Sequence, residues 1–400
     1  MATFLYRAFD SEGNAKSGAG VFANEQACTE YLQKRELSAV GVYKSATVYK
    51  PGVYKIVTVK ELAIFCRQMS VMFFSNITLM EGILLIAEQT ENRQLKIALK
   101  EIYEYMSSAS MTFAEAMCMY PHIFSSYLLN MILIGETSGT LDITFQNMSQ
   151  YFEKESKIRK KLKSAVTYPA VLTVMMAAVI VLLITKIIPV FDGILKSMAQ
   201  EIPPITGGLL SVSLFLSNYG LIILGVILIA ALSLFFYART PKGKHNFDKV
   251  KISAPISRFI TKRIITARFA RSLAILIKSG LSLTPALNEV KVLIDNRYLE
   301  PRFDAAITEI ADGGKLDEVI GNIGIFPPLF IKMLVIGQST GHLDEMLERA
   351  ADLFEEDIDE AIERLTLLIE PILIIILSIV VGIILVSVML PLISIMNSLV

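Results

Sequence analysis

The sequence predicts a mainly α, polytopic membrane protein: two repeated cytoplasmic helical bundles with three transmembrane helices, plus a small α+β module at the N-terminus. Three observations predict it. Hydrophobic residues make up 53% of the 400-residue chain and charged residues 19%, below the roughly 25% charge of a soluble domain. Three apolar runs reach the roughly 20 residues that a bilayer crossing needs. An ordered series of residues also occurs twice along the chain, which marks a repeated unit.

The N-terminal residues 1–45 alternate at Phe4, Tyr6 and Ala8, turn at Asp10-Ser11-Glu12-Gly13, run helical from Asn24 to Arg35 and alternate again at Val40 and Val42. No apolar core long enough for a cleaved signal peptide precedes them, so they are expected on the synthesis side. Residues 46–60, with Pro51-Gly52, read as a linker. Residues 61–164 and 239–364 are the two helical repeats. Leu62, Phe65, Met69, Met72 and Phe73 in the first, and Leu347, Ala350, Ala351, Phe354 and Ile358 in the second, recur at the three-and-four spacing of a helix with one apolar face. Membrane spans are predicted at 165–188, 219–238 and 365–393, with an external segment at 189–218 and a short external tail at 394–400.

Orientation follows from basic flanks, which stay in the cytoplasm. Lys154, Lys157, Arg159, Lys160, Lys161 and Lys163 precede the first span, and Arg239, Lys242, Lys244, Lys249 and Lys251 follow the second. The segment between them carries only Lys186 and Lys196. The N-terminus and both repeats are therefore expected inside, with residues 189–218 outside.

The repeat aligns Phe65 with Phe269 and Ser75–Leu79 with Ser279–Leu283. It aligns Ile134–Asp142 with Ile336–Asp344, Tyr168-Pro169 with Glu370-Pro371, and Pro189 with Pro391. Each proline pair brackets nineteen residues, which at about 1.5 Å per residue cover the roughly 30 Å of the hydrocarbon core. Gly135 to Gly139 and Gly337 to Gly341 read as a helix end, a tight turn and a new start, because glycine permits the left-handed position that closes a helix. The polar residues at these turns, Glu136, Thr137 and Asp142 in the first copy and Gln338, Thr340 and Asp344 in the second, are candidate partner contacts.

Several chemistries have no footing. Gly313-Gly314-Lys315-Leu316 lacks the spacing and hydroxyl of a phosphate loop. His122, His245 and His342 show no ligand spacing, and Cys28, Cys66 and Cys118 form no CxxC pair. No catalytic residue and no cofactor are predicted, and a cation on acidic side chains, which needs no fixed motif, is left unplaced. The zero net charge gives no sign of a nucleic-acid partner. The alternative function is an oligomeric transporter or channel subunit, which would need ionisable groups inside the spans. Lys186 and Glu370 sit at span ends instead. An intramembrane enzyme would need paired acids or a Ser/His pair at one depth.

Taken together, Tyr6, Ala8, Asp10 and Gly13, Phe65-x-Arg67-Gln68, Gly135-Glu136-x-Ser138-Gly139-x-Leu141, Tyr168-Pro169, Ile188-Pro189-x-Phe191, Pro203-Pro204-x-Thr206, Pro241-x-Gly243, Gly337 to Leu343 and Glu370-Pro371 resemble the inner-membrane platform proteins shared by type II secretion systems and type IV pilus machines, the GspF/PilC family. The resemblance covers nearly the whole chain. It implies a multi-pass protein of the bacterial inner membrane without catalytic activity. Such a protein couples a cytoplasmic hexameric assembly ATPase to pilin or pseudopilin subunits, beside other inner-membrane platform proteins and further copies of itself. Two positions depart from the pattern: Gln338 stands where the first copy has Glu136, and Asn76 where the second has Gly280.

Overall fold

The computed structural model describes residues 2–9, 15–22, 25–33, 38–44, 56–108, 111–190, 204–294 and 296–398. The expected turn at Asp10–Gly13, the linker as far as residue 55, and residues 191–203 of the external segment lie outside the described residues, as does the end of the tail. The chain forms two compact units. One comprises Met1–Lys157, Thr266–Asp295 and Phe303–Ala351; the other comprises Ile158–Ile265, Asn296–Arg302 and Asp352–Val400.

The chain opens with β1 (Ala2–Phe9), β2 (Ala15–Phe22), α1 (Glu25–Gln33) and β3 (Ser38–Lys44). The strands form one antiparallel sheet in the order β2-β1-β3, with a register shift between Arg7 and Ala8 where β1 meets β3. α1 packs against β3 and buries Leu32. Helices follow in order: α2 (Val59–Phe74), α3 (Leu79–Gln89), α4 (Arg93–Ser108), α5 (Phe113–Cys118), α6 (Ser126–Ser138) and α7 (Leu141–Leu182), then α8 (Pro204–Arg239) and α9 (Pro241–Ser253). The second series is α10 (Pro255–Lys278), α11 (Leu283–Ile294), α12 (Glu300–Ala311), α13 (Leu316–Asn322), α14 (Pro328–Thr340) and α15 (Leu343–Ser398). Helices α10 to α15 match α2 to α7 one for one.

In the first unit each repeat builds its core on the same phenylalanine. Phe65 meets Phe124 at 6.0 Å and Phe145 edge-on at 5.9 Å. Its mate Phe269 meets Phe326, the mate of Phe124, at 4.8 Å. The remaining rings change places. Phe113 and Phe145 of the first copy stand where the second has Leu316 and Leu347, and Phe303 and Phe330 of the second where the first has Leu99 and Leu128. All are buried. Core volume is thus kept by moving aromatic rings between positions, the kind of exchange that packed cores tolerate.

Local backbone devices also recur. Asn92 Oδ1 accepts from the Gln94 and Leu95 amides at the start of α4. Asn296 Oδ1 accepts from Tyr298 and Leu299 at the start of α12. After α2 and α10 the chain turns through left-handed backbone, at Asn76 with φ 55° and at Gly280 with φ 87°. Asparagine is among the few residues besides glycine that visit this region readily, which accounts for the first of the two departures.

In the second unit the membrane-length helices present their side chains outward. Among the described residues two helices are long and apolar enough to cross a bilayer, Leu141–Val190 and Leu343–Ser387, with mean hydropathy 2.7 and 3.0 over windows only 6% buried. The core helix of a soluble protein would be mostly buried, so the outward apolar surface separates these from that class. The boundaries expected at 164/165 and 364/365 fall inside α7 and α15, each of which runs unbroken from bundle to apolar segment. Pro169 removes one backbone donor, yet α7 continues through it. A short π-helical stretch, Leu183–Ile187, follows α7. Ile184, Ile188 and Ile384 pack together there, with Leu210 of α8 against them. The span expected at 219–238 lies in α8, where the described apolar stretch is Leu228–Ala238. The Pro241-x-Gly243 element is explained locally. Thr240 caps α9 with Pro241 at its first position, and a Cβ on residue 243 would lie 1.9 Å from the Tyr237 carbonyl oxygen.

Candidate interaction surfaces of the two repeats

The paired turns have the same backbone and different side-chain chemistry. α6 ends at Gly139 with φ 71°, and α14 at Gly341 with φ 76°, both left-handed. Gly135 and Gly337 serve close approach instead. A Cβ on residue 135 would sit 2.3 Å from Thr144 Oγ1, and one on residue 337 would sit 3.0 Å from Leu343 Cα and Met346 Cβ. The helix before each turn can therefore lie against the helix after it only if these positions lack a side chain.

Glu136, the first of the candidate contacts, turns inward. Its carboxylate accepts the Phe113 amide at 2.7 Å and the Ala114 amide at 2.8 Å, two of the donors that the start of α5 leaves without helical partners. Thr112 adds a reciprocal cap with Glu115. In the second copy Gln338 is exposed, and α13 begins at Lys315 with no side-chain cap. The acid of the first copy thus serves α5, and α13 begins without that cap. Thr137 and Thr340 return their hydroxyls to the preceding helical turn. Asp142 is exposed and Asp344 half-buried in the first turns of α7 and α15, where the helix dipole favours an acid. Of the proline pairs, Pro169 and Pro371 lie within α7 and α15, as does Pro391.

Side chains that single-residue patterns do not reveal join the repeats inside the first unit. Arg268 of α10 donates to both carboxylate oxygens of Glu155 of α7, from Nε at 2.9 Å and Nη2 at 2.6 Å, and the glutamate is buried. α6 packs on α11, and the Tyr127 and Ser272 side chains are both buried and close enough for their hydroxyls to interact. Burial drives the Tyr127 phenol well above its ordinary pKa; the Tyr151 and Glu289 groups add to the rise, and Ser272 opposes it. Glu155 and its mate Asp357 are both acidic, and each is bound by an arginine of α10. In the second unit Asp357 takes Arg263 at 3.3 Å. An acid at matching repeat positions was the available sequence signal. Elsewhere in the first repeat, burial and then the Glu101 carboxylate push the Tyr120 phenol up, and burial pulls the His122 imidazole down. Among the described residues no group of three or more His, Cys, Asp or Glu side chains gathers as a metal site would.

Two helical bundles of one plan, each running into an outward-facing apolar helix, match a known family. The family described as type II secretion system (T2SS), protein F matches residues 65–189 and 269–391. Those segments begin at Phe65 and Phe269, the two core rings, and end at Pro189 and Pro391. The chain belongs to this family. A type IV pilus assembly protein PilC of Thermus thermophilus is 33% identical over 92% of this chain and 92% of its own length. One from Myxococcus xanthus is 29% identical, covering 92% and 89%. A type II secretion system protein F of Vibrio cholerae is 28% identical over 90% of each chain. The relatives this chain resembles are thus named for pilus assembly and for secretion. The second departure, Gln338 for glutamate, falls in the later matched segment, where α13 has no such cap to receive.

Proposed function

We propose that this chain is a non-enzymatic inner-membrane platform of a type II secretion or type IV pilus machine. It crosses the membrane three times with its N-terminus and both repeats in the cytoplasm. A hexameric assembly ATPase docks on the repeats, and its motion passes through them to pilin or pseudopilin subunits, beside other platform proteins and further copies of this chain. The observation that carries the reading is the direct continuation of each repeat's last helix into an apolar segment of bilayer length. A force applied to a bundle then reaches the membrane along one helix, with no loop between. The bidentate Arg268–Glu155 pair supports it by tying α7 to α10.

The docking candidates are the turn residues whose side chains face solvent, Thr137, Asp142, Gln338 and Thr340, with the half-buried Asp344 beside them. Glu136 is a poor probe, since its reversal would uncap α5. Asp142→Lys, at a cost of about 1 kcal/mol or less from the helix dipole, and Gln338→Lys, which should melt like the parent, are each expected in the full chain to lose co-purification of the cognate ATPase and to abolish piliation or secretion. Retention of the ATPase by both variants together would move the docking surface elsewhere. Reporter fusions at Lys50 and Gly314 are expected to read cytoplasmic and one at Ala199 external; a cytoplasmic reading at Ala199 would remove the three-span topology.

A further inference from the structure

We propose that copies of this chain join head to tail, with α14 of one copy packed on the α2–α3 face of the next. The proposal specifies the surface for the self-association in the function above and rests on that part of it.

Inside the chain, one pair of unlike surfaces is already joined. The first repeat contributes α6, with Tyr127, and Glu155 of α7. The second contributes Arg268 and Ser272 of α10 and the flank of α11. A two-fold arrangement would also bury the exchanged pair, α14 of the second repeat and α2–α3 of the first. That pair is open. Tyr127 is 1% exposed, while its mate Leu329 is 51% exposed, and Ile336 two turns on is 50% exposed. Ile275 of α10 is 8% exposed, while its mate Val71 is 55% exposed. Leu85, the mate of Glu289, is exposed as well, and so is Ile64, which stands where α10 has Arg268.

Each repeat thus keeps the half of the joint that the other repeat has used. A second copy supplies the missing halves in the same pairing, α14 in the role of α6 and α2–α3 in the role of α10–α11. The chemistry agrees. Ile64, Val71 and Leu85 are apolar and lack the buried charge that Arg268 brings to the internal joint, and Arg67 between Ile64 and Val71 is turned to Glu153. Leu329 and Ile336 are apolar too. The acid that met Arg268 also has its counterpart engaged at home, since Asp357 is bound to Arg263. Contacts between unlike surfaces leave one half unfilled in every finite open chain, so they propagate or close into a ring. Copies held upright in one membrane can relate only by rotation about its normal, which favours closure.

The test uses the full chain in its native membrane with Leu85→Cys, Leu329→Cys and the double variant, oxidised and compared with the unsubstituted chain. The double variant is expected to give a ladder of cross-linked species. Co-expressed single variants are expected to give mixed dimers, and neither single variant should cross-link above background. Leu329→Lys and Val71→Lys are each expected to raise the dissociation concentration of the purified oligomer about tenfold or more, with unchanged melting, as loss of an apolar anchor does. Cross-linking by one single variant alone would overturn the proposal in favour of a self-facing contact. Absence of any intermolecular product would overturn it outright. Loss of the ATPase from Leu329→Lys with the oligomer intact would assign α14 to the motor instead. A ladder that persists when no ATPase co-purifies would leave the head-to-tail contact standing and remove motor coupling.

Discussion

Two helix starts that the first repeat secures with side chains go without them in the second. Thr58 with Glu61, Thr78 with Glu81 and Thr112 with Glu115 form reciprocal caps on α2, α3 and α5, and Ser125 caps α6. At the matching starts of α13 and α14 stand Lys315 and Pro327, neither with a side-chain cap. Each such cap is worth about 1 kcal/mol. The second repeat keeps the matching helices around Phe269, which shows that neither start requires its cap. It also shows that a polar residue at a shared turn cannot be assigned a shared role: Glu136 holds α5, while Gln338 faces solvent.

The largest separation of the two copies is expected at alkaline pH. The first copy buries the Tyr120 and Tyr127 phenols, and the matching positions in the second are Asn322 and Leu329. Folding raises both pKa values above the ordinary value of 10.0. The unfolded chain therefore releases these protons first as pH rises. Their stabilisation is whole below pH 10 and is lost above it, at about 1.4 kcal/mol per pH unit for each phenol. The chain has no tryptophan, so one introduced at Tyr103 or at Tyr298 reports each copy separately during denaturation. The first copy should weaken above pH 10 before the second. Tyr127→Phe should remove one proton's worth of slope and cost no more near neutrality than the weak interaction with the Ser272 hydroxyl, about 1 kcal/mol. Equal alkaline slopes in the two copies would break the comparison.

A smaller difference is expected at the close approaches. Gly135→Ala drives a Cβ into Thr144 at 2.3 Å, and Gly337→Ala meets its neighbours at 3.0 Å. Overpacking costs about 1–3 kcal/mol, so thermal melts of the full chain should place Gly135→Ala near the top of that range and Gly337→Ala near the bottom. Equal melting shifts would mean that the α6–α7 joint relaxes as freely as α14–α15.

The paired turn residues Glu136 and Gln338 should differ by less again. Glu136→Ala removes the acceptor for two amides at the start of α5 and should cost about 1–2 kcal/mol. Gln338→Ala should stay within about 0.5 kcal/mol, as exposed substitutions do. The sequence made the turn itself legible, because a left-handed glycine and a following helix leave a spacing that can be read along the chain. The destination of Glu136 was hidden, since its partners at residues 113 and 114 lie more than twenty positions away and are backbone amides with no residue signature. The ion pair between Arg268 and Glu155 was hidden for the same reason, as a contact between distant segments. The apolar runs that end α7 and α15 were legible from length and charge alone, whereas the continuity of α7 past Pro169 was not, because a helix can absorb one missing donor where its neighbours hold it.

The smallest expected effect lies at the turn after the first helix of each copy. Asn76 and Gly280 both adopt positive φ, 55° and 87°. At φ 55° asparagine sits inside the left-handed helical region and bears little strain, so Asn76→Gly should change stability only by the extra freedom it gives the unfolded chain, about 0.5–1 kcal/mol of loss. At φ 87° a side chain fits less well, although nothing lies within 4 Å of a Cβ there. Gly280→Asn should therefore cost no more than about 1 kcal/mol, all of it backbone strain. Gly280→Val should cost clearly more, since a β-branched side chain is a true outlier at positive φ. Thermal melts of the three variants rank the two turns directly. If Gly280→Asn stabilises the chain, the two turns are interchangeable, and the departure from the repeat at Asn76 reflects no difference in backbone demand.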